Sequence, residues 1–253
     1  MEDNQQIVLI IGSAPDAIRA IVWNKSIFDS IVAINNAWKI RNDWDYLVYP
    51  DDFPLENAPH FISPTQSIIT AKDFVPAQNN YGGFVYAGAT MAFTTAYWAL
   101  GTLRPRIMAF IGCDMIYPKG RQATHFYGMG TPDPLRNDIS LQSLEAKSAR
   151  LLYIAHQQKC LCLNLSDQAL SSLVFPRVDI SSLEEMKLQN LDMPKAFKGN
   201  IFNNAHITKA IKREIELGYY FESGRYWEHL DNISADECLA IDRLWKKALI
   251  RST

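Results

Sequence analysis

The sequence predicts an α/β fold, in which a Rossmann-like, mostly parallel sheet flanked by helices is followed by a small helical C-terminal subdomain. Short segments that are apolar almost throughout, such as residues 7–11 and 106–111, are typical of strands buried on both faces. They alternate with segments of helical periodicity, which is the order that produces a parallel sheet. Beyond Pro176 only separated helical patterns follow. We therefore assign residues 1–175 to the Rossmann-like domain and residues 176–253 to a helical subdomain packed on it.

The alternation can be followed along the chain. The first apolar segment ends at a Gly-Ser-Ala-Pro-Asp sequence that suits the start of a helix, because proline fits the first helical turn. Residues 89–100 have a smooth face of small side chains, which favours a helix packed closely on the sheet. The polar segment 117–140 is longer than most loops in compact domains, and its length favours a loop that covers a ligand site. We predict strands at 7–11, 30–35, 46–49, 67–70, 106–111 and 160–165, helices at about 15–23, 89–100, 141–157, 183–191, 207–217 and 234–251, and a loop at 75–86.

Composition and charge narrow the class of protein. The chain has 253 residues, of which 48% are hydrophobic and 21% are charged, so it is long enough to bury a full core. Its formal net charge is -2 with the two signs interspersed, which disfavours nucleic acid as a partner. No apolar stretch reaches about 18 residues and no signal peptide is recognisable, so we predict a cytoplasmic protein without a transmembrane segment. Four cysteines are too few for a disulfide framework, and we expect them to be reduced. The sequence indicates no oligomeric state.

The loop after the first strand, Gly12-Ser13-Ala14-Pro15, is the first candidate for ligand binding. In an open parallel sheet, ligands bind outside the carboxyl ends of the strands, near the point where the strand order reverses. Small residues let a ligand approach the backbone closely, and the start of a helix favours an anion such as phosphate. The loop matches neither Gly-x-Gly-x-x-Gly nor Gly-x-x-x-x-Gly-Lys, so dinucleotide enzymes and P-loop ATPases are disfavoured. A strand-to-helix turn with a purely structural role is the alternative.

Polar side chains also follow the second and third strands. Asn35 and Asn36 end a buried strand, where an unpaired amide is costly and where a side-chain amide could bind a base or a ribose. The alternative is a local turn in which these amides bond the backbone. Asp51 and Asp52 could bind ribose hydroxyls or a divalent cation such as Mg²⁺, or could cap the following turn. Apart from this Mg²⁺ option, the sequence indicates no cofactor and no metal site.

The long loop after the fifth predicted strand holds the candidate catalytic residues. His125 is the only one of five histidines in a predicted site loop, and an imidazole can exchange a proton near neutral pH. Asp114 or Asp133 could orient the ring, although a structural role for His125 is the alternative. Arg136 could pair with a phosphate or a carboxylate, or could form an internal ion pair that orders the loop.

Aromatic residues complete the candidate set. Tyr117 and Tyr127 lie in the same long loop as His125. In the C-terminal part, four aromatic side chains could stack on a sugar or a base, but such residues more often pack in a core or an interface. These four are Tyr219, Tyr220, Tyr226 and Trp227.

The order of these segments resembles the bacterial sialyltransferases of glycosyltransferase family 42, over roughly residues 7–170. Gly12-Ser13-Ala14-Pro15 resembles the family's Gly-x-x-Pro loop, and Asn35 resembles the Asn after its second strand. Ala87-Gly88, with the helix through Trp98, resembles its Ser-Gly turn and alanine-rich helix. Gly112-Cys113-Asp114 resembles its Gly-x-Asp strand end, and His125-Phe126-Tyr127-Gly128 resembles its His-Tyr-x-Gly-His loop. A more distant resemblance is to pterin diphosphokinase-like and flagellin-glycosylation proteins, which share a Gly-x-x-Pro-Ser loop and the sheet layout.

The resemblance implies a nucleotide-sugar-dependent glycosyltransferase of surface polysaccharide biosynthesis, with a CMP-linked donor favoured and a small glycan as acceptor. It implies that Gly12 to Ala14 and Asn35 hold the nucleotide, and that Ala87-Gly88 backs the phosphate. His125 matches the first, non-catalytic His of the family's loop. Our hypothesis that His125, with Asp114 behind it, acts as the base on an acceptor hydroxyl rests on its place in the site loop.

The chain departs from the family at two positions, and these departures keep two other functions open. Met129 stands where the family has its general base, the second His of the loop, so a non-catalytic nucleotide-binding protein is one alternative. Asp51 and Asp52 follow the third strand where the family has an Asn. Together with Asp114 they favour a Mg²⁺-dependent diphosphotransferase or phosphohydrolase as the other alternative.

Overall fold

The computed structural model describes residues 6–117, 123–128, 138–188 and 201–250. Its strands form one six-stranded sheet in which every pair is parallel. They are β1 (Ile7–Ile11), β2 (Ser30–Ile34), β3 (Tyr46–Val48), β4 (Ser67–Ile69), β5 (Ile107–Ile111) and β6 (Leu161–Asn164). The spatial order is β4-β3-β2-β1-β5-β6. Helices flank this sheet, which confirms the predicted Rossmann-like α/β fold and all six predicted strands.

Capping side chains explain where several helices begin. Thr90, Ser143, Asn203 and Ser234 each accept a hydrogen bond from the backbone N–H three residues further on, a contact that contributes roughly 1 kcal/mol. The α-helices are α1 (Ala71–Asn79), α2 (Phe84–Ala87), α3 (Met91–Thr102), α4 (Leu144–Gln157), α5 (Ile180–Leu188), α6 (Asn204–Leu217) and α7 (Ala235–Lys247). The helix predicted at 15–23 is a 3₁₀ helix, Pro15–Val22, and further 3₁₀ turns include Asn35–Lys39 and Ile139–Leu141.

The prediction of a loop at 75–86 is wrong, because α1 and α2 occupy most of that segment. Pro76 lies inside α1, and a proline there is usually a sign that a helix has ended. Capping-box residues outweigh it: the Asp73 carboxylate accepts from the N–H of Thr70 over 3.0 Å, and the N–H of Asp73 donates to the Thr70 carbonyl over 2.9 Å. The sequence Thr-x-x-Asp before an apolar segment is the signal for this helix.

The centre of the sheet is also the point where the strand order reverses. β1 and β5 are neighbours, and all five residues of each are buried. The chain runs outward from β1 to β4 and then returns to β5 on the other side of β1. The loops that follow β1 and β5 therefore diverge, and a crevice opens between them at the carboxyl edge of the sheet.

Two glycines allow the ends of β1 and β5 to touch. A Cβ atom on Gly12 would lie 2.3 Å from the carbonyl oxygen of Gly112. Gly112 itself has a φ of 68°, in the left-handed region that favours glycine. The N–H of Ala14 donates to the Gly112 oxygen over 2.9 Å, so the two loops are joined where the crevice begins.

Buried ion pairs fasten the C-terminal helices to α4. The Arg150 guanidinium donates to both carboxylate oxygens of Glu214 in α6, to the hydroxyl of Tyr97 in α3 and to the Tyr81 carbonyl. Lys147 donates to Asp242 in α7 over 2.9 Å. Removing one partner from such a buried pair typically costs about 3–5 kcal/mol, because the other charge is left buried and uncompensated. The domain boundary at residue 175 stays a prediction.

Two further expectations concern the cysteines and membrane spans. All four cysteines are buried and unpaired with one another, as predicted. Among the described residues, none of the helices combines the length and the apolar character needed to cross a bilayer.

Candidate functional site

A cavity of about 180 Å³ lies at the reversal point of the sheet. It is bounded by the loops after β1, β2 and β5, by the start of α3 and by the loop that carries His125. The lining residues are Gly12, Ser13, Ala14, Ile34, Asn35, Thr90, Met91, Ala92, Gly112, Cys113, Met115, Ile116, Tyr117, Thr124, His125 and Tyr127. This is the place where open α/β sheets bind ligands.

A larger cavity of about 500 Å³ is the weaker candidate. It lies between α4 and α6 and is lined mainly by apolar atoms. Its charged residues, Arg150 and Glu214, already pair with each other, so they offer little to a ligand. The smaller cavity is richer in polar surface and collects side chains from five separate segments, and we therefore assign the site to it.

Backbone N–H groups from two sides of the small cavity have no acceptor. Within the described part of the chain, the N–H of Ser13 makes no hydrogen bond. The first N–H groups of a helix lack intrahelical acceptors, and at the start of α3 these belong to Met91 and Ala92. The α3 dipole adds partial positive charge at the same place. The cavity can therefore bind an anion without a cationic side chain.

Asn35 brings an unsatisfied amide into the cavity. Its backbone has a φ of 50°, a left-handed conformation that asparagine tolerates better than most residues. Its Oδ1 atom is buried and accepts no hydrogen bond. A buried acceptor without a donor costs about 1–3 kcal/mol, so a ligand N–H or O–H at this position would be stabilising. Asn36 also has a buried, unpaired Oδ1, but it does not line the cavity.

The loop with His125 is docked onto the loop after β1. The N–H of Phe126 donates to the Ser13 carbonyl over 2.9 Å, and His125 and Gly128 exchange two backbone hydrogen bonds of 3.0 Å. The imidazole stacks on Tyr127 with ring centroids 4.9 Å apart. These contacts place His125 at the wall of the cavity, beside the unpaired N–H of Ser13.

The surroundings of His125 suit a proton acceptor. Burial lowers the pKa of His125 below its ordinary value of 6.5, so the ring is neutral at pH 7. Nδ1 lies 2.8 Å from the Thr124 hydroxyl. In the tautomer whose Nδ1–H donates to Thr124, Nε2 carries a lone pair that can accept a proton.

Asp114 does not contact His125, contrary to the expected orienting role. Its side chain is 2% exposed, its Oδ1 accepts from Asn164 over 3.4 Å, and its Oδ2 is buried without a partner. Thr124 occupies the position at Nδ1 that a carboxylate would need. A charged neighbour of Asp114 is instead Asp16, in the first turn of the 3₁₀ helix after β1.

Asp16 and Asp114 form a buried pair of carboxyl groups beneath the cavity. Asp16 is 7% exposed, and neither of its carboxylate oxygens has a donor in hydrogen-bonding geometry. Burial raises the pKa of Asp16, the charge of Asp114 raises it further, and the nearby Ser166 hydroxyl and Arg19 oppose the rise. Asp16 therefore binds a proton more readily in the folded chain than in the unfolded chain.

Asp51, Asp52, Ala87 and Gly88 do not line the cavity. Asp51 and Asp52 are exposed in the turn after β3, which is three strand spacings, or roughly 14 Å, from β5 and Asp114. The three carboxylates do not converge, and the described residues contain no group of three or more His, Cys, Asp or Glu placed to hold a metal ion. Ala87 and Gly88 are buried behind the start of α3. Met129, Asp133 and Arg136 lie outside the described residues.

The sequence predictions missed the part of the site that lies at the start of α3. Thr90, Met91 and Ala92 line the cavity at the start of α3, three positions beyond the Ala87-Gly88 turn that the resemblance indicated. Thr124 was missed as the partner of His125. Thr90 had a recognisable signal, since a threonine directly before an apolar helical segment is a common N-cap.

Fold and site together define the class: a Rossmann-like α/β protein whose ligand cavity lies at the reversal point of a parallel sheet. Family models, curated proteins and solved structures yield no significant match to the chain. The function must therefore be inferred from the cavity itself.

The buried carboxyl pair predicts a specific pH dependence of stability. Because the pKa of Asp16 is raised on folding, its favourable contribution is complete below the ordinary pKa of 3.8 and is lost as pH rises through the folded-state pKa. Asp16→Asn removes this charge from the neighbourhood of Asp114. Thermal unfolding should be measured between about pH 5 and pH 8. At the upper end the variant should be at least as stable as the parent protein, and across the range its Tm should change less than the Tm of the parent protein.

Asp167→Asn is the matched control, since Asp167 pairs with Arg19 at the surface and should show little pH effect. An Asp16→Asn protein that is less stable than the parent over the whole range would mean that a donor or cation stabilises the ionised carboxylate.

Proposed function

We propose that the protein is a nucleotide-sugar-dependent glycosyltransferase, similar to sialyltransferases, which binds a CMP-linked donor in the small cavity and acts in surface polysaccharide biosynthesis. One observation carries the proposal: the unpaired N–H groups of Ser13, Met91 and Ala92 and the unpaired Oδ1 of Asn35 border the same cavity as a neutral His125. That combination fits a phosphate, a polar base or ribose, and a proton transfer.

The charge of the cavity supports a nucleoside monophosphate as the nucleotide. None of the described lining residues is Lys, Arg, Asp or Glu, so the donors that face the ligand are backbone dipoles. A phosphodiester carries a single negative charge, and the start of a helix with free N–H groups can stabilise such an anion. The Asn35 amide oxygen is an acceptor, so it can receive an exocyclic amino group of a base or a ribose hydroxyl.

His125 supplies the chemical step in this proposal. Nε2 removes the proton from a hydroxyl of the glycan acceptor while the oxygen forms a bond to the anomeric carbon of the donor sugar. The bond between that carbon and the phosphate oxygen breaks, and its electron pair leaves with the nucleoside monophosphate. Thr124 fixes the ring through Nδ1, and the same N–H groups that bind the phosphate stabilise the charge of the leaving group.

The two alternatives have less support from the site. A Mg²⁺-dependent diphosphotransferase needs carboxylates that converge on the metal, whereas Asp51 and Asp52 are separated from Asp114 by the intervening strands. A non-catalytic nucleotide-binding protein would use the same cavity and would differ only in having no need of His125.

Nucleotide binding is the first test. Calorimetric titration should show binding of CMP or a CMP-linked sugar, and Asn35→Gly should weaken it by about 10-fold, the effect of one lost hydrogen bond to a buried amide. Glycine suits the left-handed backbone at this position, so the variant removes the amide without adding strain. Asn36→Ala is the control, because Asn36 does not line the cavity. The proposal fails if no CMP, UDP or GDP compound binds.

The role of His125 is tested by donor hydrolysis, which needs no identified acceptor because water can replace it. His125→Gln should lower kcat by roughly 10²- to 10⁴-fold while CMP affinity changes little. In the parent protein, kcat/KM should rise with pH through a pKa below 6.5, since burial lowers the pKa of His125. Unchanged turnover in His125→Gln, or an acid limb above this value, would exclude the histidine as the base.

A further inference from the structure

We infer that Tyr226, in the C-terminal part, is a positioning residue that sets the location of the first turn of α3 at the cavity. Its hydroxyl acts through Asp138 and Ser140 on the backbone immediately before the α3 N-cap. The geometry stands by itself, and the consequence for phosphate affinity rests on the proposed function.

The first link of this connection is a short hydrogen bond. The Tyr226 hydroxyl donates to Oδ2 of Asp138 over 2.6 Å, and the tyrosine side chain is buried. The other oxygen of Asp138 accepts from the backbone N–H of Ser140 over 2.8 Å and from its hydroxyl over 2.7 Å. Hydrogen bonds to a carboxylate are stronger than those between neutral groups, so Asp138 is firmly held on both sides.

The second link reaches the start of α3. Ser140 is fully buried, and its hydroxyl oxygen accepts from the N–H of Ala89 over 3.2 Å. A serine hydroxyl has one proton, and here Asp138 accepts it, so a lone pair of the oxygen is directed at Ala89. Ala89 directly precedes Thr90, the N-cap of α3.

The turn between α2 and α3 is held by the hydrogen bond from Ala89 to Ser140 and by a second one at Gly88. Gly88 has a φ of 87°, and its carbonyl accepts from the Gln78 side chain over 3.0 Å. The Gln78 and Ser140 side chains therefore fix the two backbone groups of the turn that leads from α2 into α3. The unpaired N–H groups of Met91 and Ala92 begin only two residues beyond Ala89, and their direction follows from that of the turn. A ligand contact made by preorganised donors loses strength when those donors shift.

The tyrosine ring and its hydroxyl have separable roles. The ring of Tyr226 stacks on Phe84 with centroids 6.4 Å apart, and this packing survives in Tyr226→Phe. Tyr219 provides a matched control in the same part of the chain. Its ring stacks on Tyr86 at 6.0 Å, and its hydroxyl accepts from the N–H of Ser234 over 3.0 Å, far from the α3 turn.

Amide hydrogen exchange of the ligand-free full chain tests the positioning directly. Tyr226→Phe should accelerate exchange in the peptide that contains Ala89 to Ala92, whereas Tyr219→Phe should leave that peptide at the parent rate. Asp138→Asn should produce the same local acceleration, and adding Tyr226→Phe to it should add little. If Tyr226→Phe and the parent protein exchange equally at this peptide, the inference is wrong.

Titration with CMP and with cytidine tests the consequence for binding. Tyr226→Phe should lower CMP affinity by about 3- to 10-fold, the effect of one weakened hydrogen bond, and should leave cytidine affinity unchanged, because the α3 turn contacts only the phosphate. An equal loss for both ligands would mean a general structural role and would overturn the positioning role. If the parent protein binds neither compound, the proposed function fails, and the exchange experiment still decides the role of Tyr226.

Discussion

The contact between the ends of β1 and β5 determines most of what the cavity can do. Gly12 and Gly112 let two backbone segments meet at a distance that no larger residue allows, and the hydrogen bond from Ala14 to Gly112 closes this contact. The residue after Gly12, Ser13, has an N–H without an acceptor among the described residues. The carbonyl of the same residue binds Phe126 and so holds the loop with His125 in place. The anion-binding donor and the candidate base thus depend on one close approach of the backbone.

The other side of the cavity is formed by the start of α3. The start of α3 is placed by side chains that are distant in sequence, with Gln78 on one side and Ser140 on the other. The C-terminal helices are fastened to α4 through Arg150 and Lys147, and Tyr226 extends that attachment to Asp138. In this account the helical part that follows the sheet supports the ligand cavity as well as covering the core.

Much of the fold could be predicted because it depends on local patterns. The apolar, β-branched segments identify all six strands, and their alternation with helices predicts the parallel sheet. The segment with α1 was predicted as a loop because its aromatic and amide residues show no helical periodicity, whereas the signal for the helix is the capping box of Thr70 and Asp73 before it. The predicted helix ends differ from the observed ones by a few residues, because caps such as Ser143 decide where a helix begins.

The site was predictable only where a residue directly follows a strand. Ser13 and Asn35 lie in the cavity for that reason, and so does His125, through the loop after β5. Strand order cannot be read from a sequence, and it is the order that separates Asp51 from Asp114 by about 14 Å. Side-chain direction is equally hidden: Asp114 follows β5 as expected, yet it faces Asn164 and Asp16 instead of His125.

In the proposed function, the unpaired backbone N–H groups on the two sides of the cavity bind the phosphate of a nucleotide. A crystal structure of the chain soaked with CMP tests it most directly. Phosphate oxygens should lie within about 2.7–3.2 Å of the N–H of Ser13 and of Met91 or Ala92, with the nucleoside beside Asn35. Density for CMP in the larger cavity between α4 and α6, or on surface lysines and arginines while the small cavity is empty, would contradict this binding mode.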